Sequence, residues 1–342
     1  MSNFLRRERA YIWMAIFILS VNLLGIGHAR GKNLKARKNI SSMSFKDMGV
    51  TEEKIKLFLE SERPGAKFFR YGFFAGVFML LGGAVTNLIL LLGRKKIVLE
   101  KNPDKISVSW GIADVLRVAV VVIFSGYMLG ASSSALSNLF HFNIDANLGM
   151  ILGTFSMDMI AGAAILYFVL IKYKERLSSL GVMGAGFYKN VLSGLTAYVF
   201  IFPVLVAVLI LSMMLLNAIG YKFPAQPVFD MFLEEKRSNV ILFLTVFVSI
   251  LGPIIEEVFF RGFLYSAARK RFGVLSGALL SAVLFSILHT NIAGFIPIMI
   301  LGILMAFLYE TTGSLIAPIT VHIVHNSIIV GFVFFIKQVI RG

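Results

Sequence analysis

Residues 239–261 read NVILFLTVFVSILGPIIEEVFFR, an apolar stretch of helix length that carries Glu256, Glu257 and Arg261 at its end. A carboxylate at the centre of a transmembrane helix costs about 2.5–3.5 kcal/mol on insertion scales. Two in one segment need partners that recover that cost, or a chemistry that uses them. Downstream, His289 and then His322 with Asn326 stand in equally apolar surroundings. Acid, imidazole, imidazole and amide in a hydrocarbon-rich chain point to an active site within the bilayer.

The rest of the chain agrees with a membrane setting. Hydrophobic residues make up 58% of 342, Phe alone contributes 32, and mean hydropathy is +0.84. Apolar segments lie near 11–27, 71–93, 112–130, 148–171, 191–216, 239–260, 274–290, 294–309 and 315–336. Several approach the ~20 residues that cross a bilayer, so the fold class is all-α, a polytopic transmembrane bundle of about eight to nine segments. The eighth is short enough to be tilted, re-entrant or buried. The net charge of +15 comes from basic residues in loops beside spans, where anionic headgroups attract them. Lipids, not nucleic acid, are the expected partners, and a multi-pass protein of the cell membrane is the expected location. The chain has no cysteine, which excludes disulfides, thiolate metal sites and a cysteine nucleophile.

Three regions follow. Residues 1–70 form an N-terminal anchor helix and a basic interfacial loop, 71–238 accessory transmembrane helices, and 239–336 the core with the polar residues. Arg6, Arg7 and Arg9 precede the first apolar segment, but its basic exit at 28–32 lacks a small-x-small site, so it reads as an uncleaved anchor. In the 28–70 connection Thr51 is a candidate N-cap, and Ile55, Phe58 and Leu59 make an apolar stripe of a helix lying on headgroups. The basic 94–110 and 172–190 loops contrast with 131–147, which has no Lys or Arg. That alternation puts the eleven Lys and Arg of 28–70 outside, against the positive-inside rule, so charge sets no orientation.

Helix geometry separates the two glutamates. Glu257 and Arg261 are four apart and stack in the favourable order, so the guanidinium holds Glu257 ionised as structural support. Glu256 sits about 100° around the helix and is free to face a cavity. Gly273 is a natural helix stop, and Glu256 and His289 lie nearly equidistant from residues 272–273, so an antiparallel hairpin places them at one depth. Phe285, one turn before His289, shields that pocket. His322 and Asn326 project from one face of the last helix, which Pro318 opens or kinks. Folding back about Gly313 brings His322 level with Gly302, a position with room for close packing or for substrate backbone. His325 is a competitor on the same face. Asp158, in the fourth segment, is either a packed polar contact or part of the site.

In this order, Glu-Glu-x-x-x-Arg at 256–261, Phe-x-x-x-His at 285–289 and His-x-x-x-Asn at 322–326 resemble the three motifs of the CPBP family. These are CAAX-protease (type II), bacteriocin-processing and Abi-like intramembrane enzymes, metal-independent glutamic endopeptidases. The resemblance covers roughly 239–336. It implies that Glu256 activates a water, that His289 helps orient or deprotonate it, and that His322 and Asn326 stabilise the oxyanion, with Glu257 and Arg261 as support. It implies CAAX-like or leader-peptide substrates, lipidated ones among them. Amide hydrolysis needs a base and oxyanion donors, which this set supplies. No cofactor is expected. Zinc is the alternative, since the carboxylates and imidazoles are zinc ligands, but there is no His-Glu-x-x-His and Arg261 disfavours a cation. A non-catalytic adaptor, immunity or regulatory protein that keeps the fold is the alternative from another class. A proton-coupled transporter would spread its ionisable residues over more helices.

Overall fold

The computed structural model describes residues 2–29, 47–93, 106–140, 145–182, 184, 186–221 and 226–341. Its helices are α1 Ser2–Ala29, α2 Glu52–Glu60, α3 Pro64–Leu92, α4 Ile112–Phe140 and α5 Ala146–Leu166, the last prolonged by π turns over Tyr167–Lys172. Then come α6 Phe187–Ala218, α7 Pro227–Glu234, α8 Ser238–Phe272, α9 Val274–Leu288, α10 Phe295–Thr312 and α11 Ile316–Arg341. No strand occurs among the described residues. Residues 30–46 of the 28–70 connection and 94–105 of the 94–110 loop lie outside them, and helix α4 runs through much of the expected 131–147 loop.

Among the described residues, seven helices are long and apolar enough to cross a membrane: α3, α4, α5 with its extension, α6, α8, α10 and α11. The chain is a multi-pass membrane protein. The eighth expected segment is α10, at 18 residues the shortest of these spans and the most buried of them, while the seventh is α9, shorter still at 15 residues. At 1.5 Å per residue α9 reaches about 22 Å, short of the roughly 30 Å hydrocarbon core.

The helices gather into two compact units. The first contains α1, α4 and α5, held by a polar network. The Asp114 carboxylate accepts from Lys172, Tyr173 and Arg117. Arg117 also forks onto Glu8 through Nε at 2.9 Å and Nη2 at 2.5 Å. Such bidentate pairs are among the stronger and more directional contacts a helix bundle can use. Asp158, on α5, belongs to this unit.

The second unit contains α2, α3 and α6–α11. Pro203 lacks the N–H that would bond the Val199 carbonyl one turn back. Gly83 of α3 lies against that freed carbonyl, so closely that a Cβ there would come within 2.2 Å of it. Asn87 of α3 then donates to the next carbonyl, Phe200 O, at 2.9 Å. On its other side α6 packs on α11, with Gly194 against the Ala317 carbonyl and Thr320. Thr51 caps α2 through its side chain, and Phe58 of α2 packs with Phe69 and with Phe335 of α11. Lys337 of α11 is buried and donates to Phe232 O and Glu235 O at the end of α7. Arg269 forks onto Glu310, which also accepts from Tyr265, tying the end of α8 to α10. Gly273 and Gly313 take positive φ where the chain reverses, and Pro318 lies in the first turn of α11.

Candidate active site

Helix α8 leaves α-geometry on either side of the glutamates, with π turns over Phe247–Leu251 and Val258–Tyr265. In the first, Gly252 N–H bonds Phe247 O, five residues back. In that register the next donor would serve Val248 O, but the next residue is Pro253, which has none. Asn326 of α11 supplies the missing donor, its Nδ2 standing 2.9 Å from Val248 O. One proline thus fixes both the widened turn and the height at which α11 docks. π turns of this kind recur at functional sites.

Glu257 lies at the centre of the charged group. Glu257 and Arg261 are fully buried, and Glu257 Oε1 accepts from Arg261 Nη1 at 2.7 Å. The same oxygen lies 2.8 Å from His322 Nδ1. The sequence pairs Glu257 with Arg261 alone; the structure adds an imidazole 65 residues away. That oxygen already accepts from the guanidinium, so Nδ1 carries the hydrogen and donates to it. Phe285, 1% exposed, forms the wall. Its ring lies 4.5 Å beneath the Arg261 guanidinium and packs edge-on to His289 and His322 at 4.5 and 5.4 Å.

Gly302 is a packing position. Its carbonyl accepts from Arg261 Nη2 at 3.3 Å, and a Cβ there would meet Ala282 at 3.0 Å. The opening for substrate backbone allowed by the sequence is therefore filled.

Glu256 is partly open, its side chain 32% exposed. Its Oε2 lies 3.8 Å from His322 Nε2 and has no hydrogen-bond partner. His289 caps the end of α9, and its Nδ1 lies 2.7 Å from Phe285 O. A carbonyl can only accept, so Nδ1 carries the hydrogen and Nε2 of the neutral ring is left with its lone pair. Donor atoms of Glu256, His289 and His322 all lie within 4.8 Å of one another. Three helices, α8, α9 and α11, thus bring one carboxylate and two imidazoles to a single point. The turn after His289 is held by side chains, Ser286 Oγ donating to Phe295 O and Asn291 Oδ1 accepting from Gly294 N. Irregular backbone at membrane depth persists only with such satisfaction or beside a wet cavity.

His325 is not part of this convergent group; its Nδ1 lies 3.1 Å from the buried Tyr198 hydroxyl of α6. Sequence reading misses Tyr198, which lies 127 residues away in an unbroken apolar run and carries no local signal. The convergent set Glu256, His289 and His322 has the donor chemistry of a divalent-cation site, with both rings oriented by second partners. Its spread of up to 4.8 Å would have to close toward the roughly 3.3 Å separating ligands of a tetrahedral zinc.

Residues 238–328 match the family model described as Type II CAAX prenyl endopeptidase Rce1-like. Over 82 residues the chain is 33% identical to "Putative membrane peptidase YdiL" of Bacillus subtilis (strain 168), covering 24% of this chain and 34% of that protein. The chain thus matches about a third of the length of this curated relative. No solved structure matches the chain at a significant level. These matches support the assignment of the C-terminal segment to the CPBP/CAAX protease family.

Proposed function

From a C-terminal segment of the CPBP/CAAX protease family, we propose that the chain is an intramembrane endopeptidase that hydrolyses peptide bonds with a glutamate-activated water. The convergence of Glu256, His289 and His322 within 4.8 Å carries the reading. A water between the Glu256 carboxylate and the His289 Nε2 lone pair has an acceptor for each proton. Water adds to the peptide carbonyl carbon as its proton passes to Glu256, which then hands that proton to the leaving nitrogen as the C–N bond breaks.

His322 completes the charge count. With Nδ1–H on Glu257, a second proton on Nε2 makes it an imidazolium, so two carboxylates face two cations. Its Nε2–H is the donor for the developing oxyanion, and Asn326 offers the amide hydrogen that Val248 O does not use. Glu257 acts through His322 and Arg261 as a positioning residue. The mechanism is metal-free in our reading: Arg261 supplies the positive charge beside the carboxylates that a cation would otherwise provide. Substrates are membrane-associated peptides, of the CAAX-like or leader type and with lipidated chains among them, that reach the site from the lipid side.

The test compares the proteomes of membranes carrying wild-type or Glu256→Gln protein. A peptide product formed only with wild type supports the reading. Identical peptide sets, or cleavage by the purified Glu256→Gln variant at the wild-type rate, overturn it.

A further inference from the structure

Among the described residues of the second unit, six glycines adopt positive φ, and all lie where the chain turns. One other residue does the same, Thr290, at φ 50° immediately after His289. A β-branched residue in the left-handed region is an outlier, because Cβ crowds the following carbonyl. Glycine performs this helix-ending role at Gly273 and Gly313 without that cost. Strain of this kind persists where the side chain does something the turn does not need.

The Thr290 hydroxyl, like that of the exposed Thr196 in α6, is not returned to a carbonyl of its own helix. Thr86, Thr245, Thr311, Thr312 and Thr320 each return their hydroxyl to a carbonyl of their own helix. Thr290 is exposed, and its hydroxyl bonds to no described residue. It follows a helix of about 22 Å, shorter than the roughly 30 Å hydrocarbon core. An exposed hydroxyl without a partner among the described residues is open to one from outside the chain.

Resting on the peptidase reading, we infer that Thr290 is a substrate-contacting residue whose hydroxyl hydrogen-bonds the peptide backbone beside the bond held at Glu256 and His289. Peptide backbone offers both donors and acceptors, and a hydroxyl can serve either. The left-handed turn fixes that hydroxyl one residue from the His289 ring, where a glycine would present nothing.

The test uses full-length protein in detergent micelles and the internally quenched peptide that wild type cleaves fastest from a library. Thr290→Gly relieves the strain and removes the hydroxyl; its melting temperature is expected to rise by about 2–4 °C, with kcat/KM down about tenfold through KM. Thr290→Val keeps the branch, loses the hydroxyl and is expected to show the same rise in KM. Thr290→Ser restores kcat/KM to within about twofold of wild type. Wild-type kinetics in Thr290→Gly and Thr290→Val overturn the inference and leave the peptidase reading intact. So does a loss of activity that accompanies a fall in melting temperature, which marks a structural residue. Equal cleavage by wild type and Glu256→Gln, or none by wild type, overturns the peptidase reading and this inference with it.

Discussion

Glu257→Gln keeps the shape of the side chain and removes its charge. In the wild type one oxygen serves two buried partners, Arg261 Nη1 at 2.7 Å and His322 Nδ1 at 2.8 Å. Arg261 has no other carboxylate bond and leaves Nε without a partner even in the wild type. Removing one member of a buried ion pair costs about 3–5 kcal/mol, because the remaining charge stays buried and uncompensated. For a chain of this size that corresponds to a fall in melting temperature of roughly 5–15 °C. The assay is thermal unfolding in detergent micelles, monitored by helical circular dichroism. A second substitution separates structure from chemistry. In Glu257→Gln/Arg261→Met the orphaned charge is gone and an apolar chain lies over Phe285, so at least half of the lost stability should return. Cleavage should not return, because His322 still lacks an acidic acceptor for Nδ1. A Glu257→Gln protein that melts within about 1 °C of wild type would refute the reasoning, as would full activity in the double variant.

Three further outcomes are expected. Asn326→Ala leaves Val248 O without a donor beside Pro253, so stability should fall by about 1–3 kcal/mol, measured by the same melts; Asn326→Asp, which cannot donate when ionised, should behave alike. Gly83→Leu drives a side chain into the Val199 carbonyl and Pro203, and should lower stability by about 1–3 kcal/mol, read as reduced yield and earlier thermal unfolding. Glu235, between α7 and α8, is held down at about 2 from its ordinary 4.5, first by the hydrogen-bonded Arg237 guanidinium. Its contribution is therefore full above pH about 4.5 and lost as pH falls through about 2. Melts across that window should show less acid dependence in Arg237→Ala than in wild type.

The membrane bundle is legible in the sequence because crossing a bilayer demands long apolar helices, and seven are found among the described residues. The depth of Glu256 and His289 is legible too, since both are counted from the same helix break at Gly273. Local capping signals such as Thr51 and Gly313 read directly. Contacts between distant segments do not. The bond from His322 to Glu257 depends on the rotation of α11, which four-residue spacing leaves undetermined. Asn326 reaches Val248 O because α8 widens ahead of Pro253, and a proline in a helix predicts a disturbance without saying which carbonyl it frees. The packing of α3 on α6, and of α6 on α11, rests on Gly83 and Gly194, two small residues indistinguishable in sequence from others that touch nothing.

Helix α9, whose Leu275, Ile287 and Leu288 are exposed, creates a hydrophobic mismatch. About 8 Å of acyl chain beside it has no matching protein length. Lipids at that flank must compress, and a thinned leaflet brings the headgroup water closer to the turn that ends in His289. Hydrolysis needs two reactants that avoid each other, a lipid-borne peptide and water. On the proposed peptidase reading, the missing turn of helix lets them meet at one edge of the protein and makes bilayer thickness a variable of turnover.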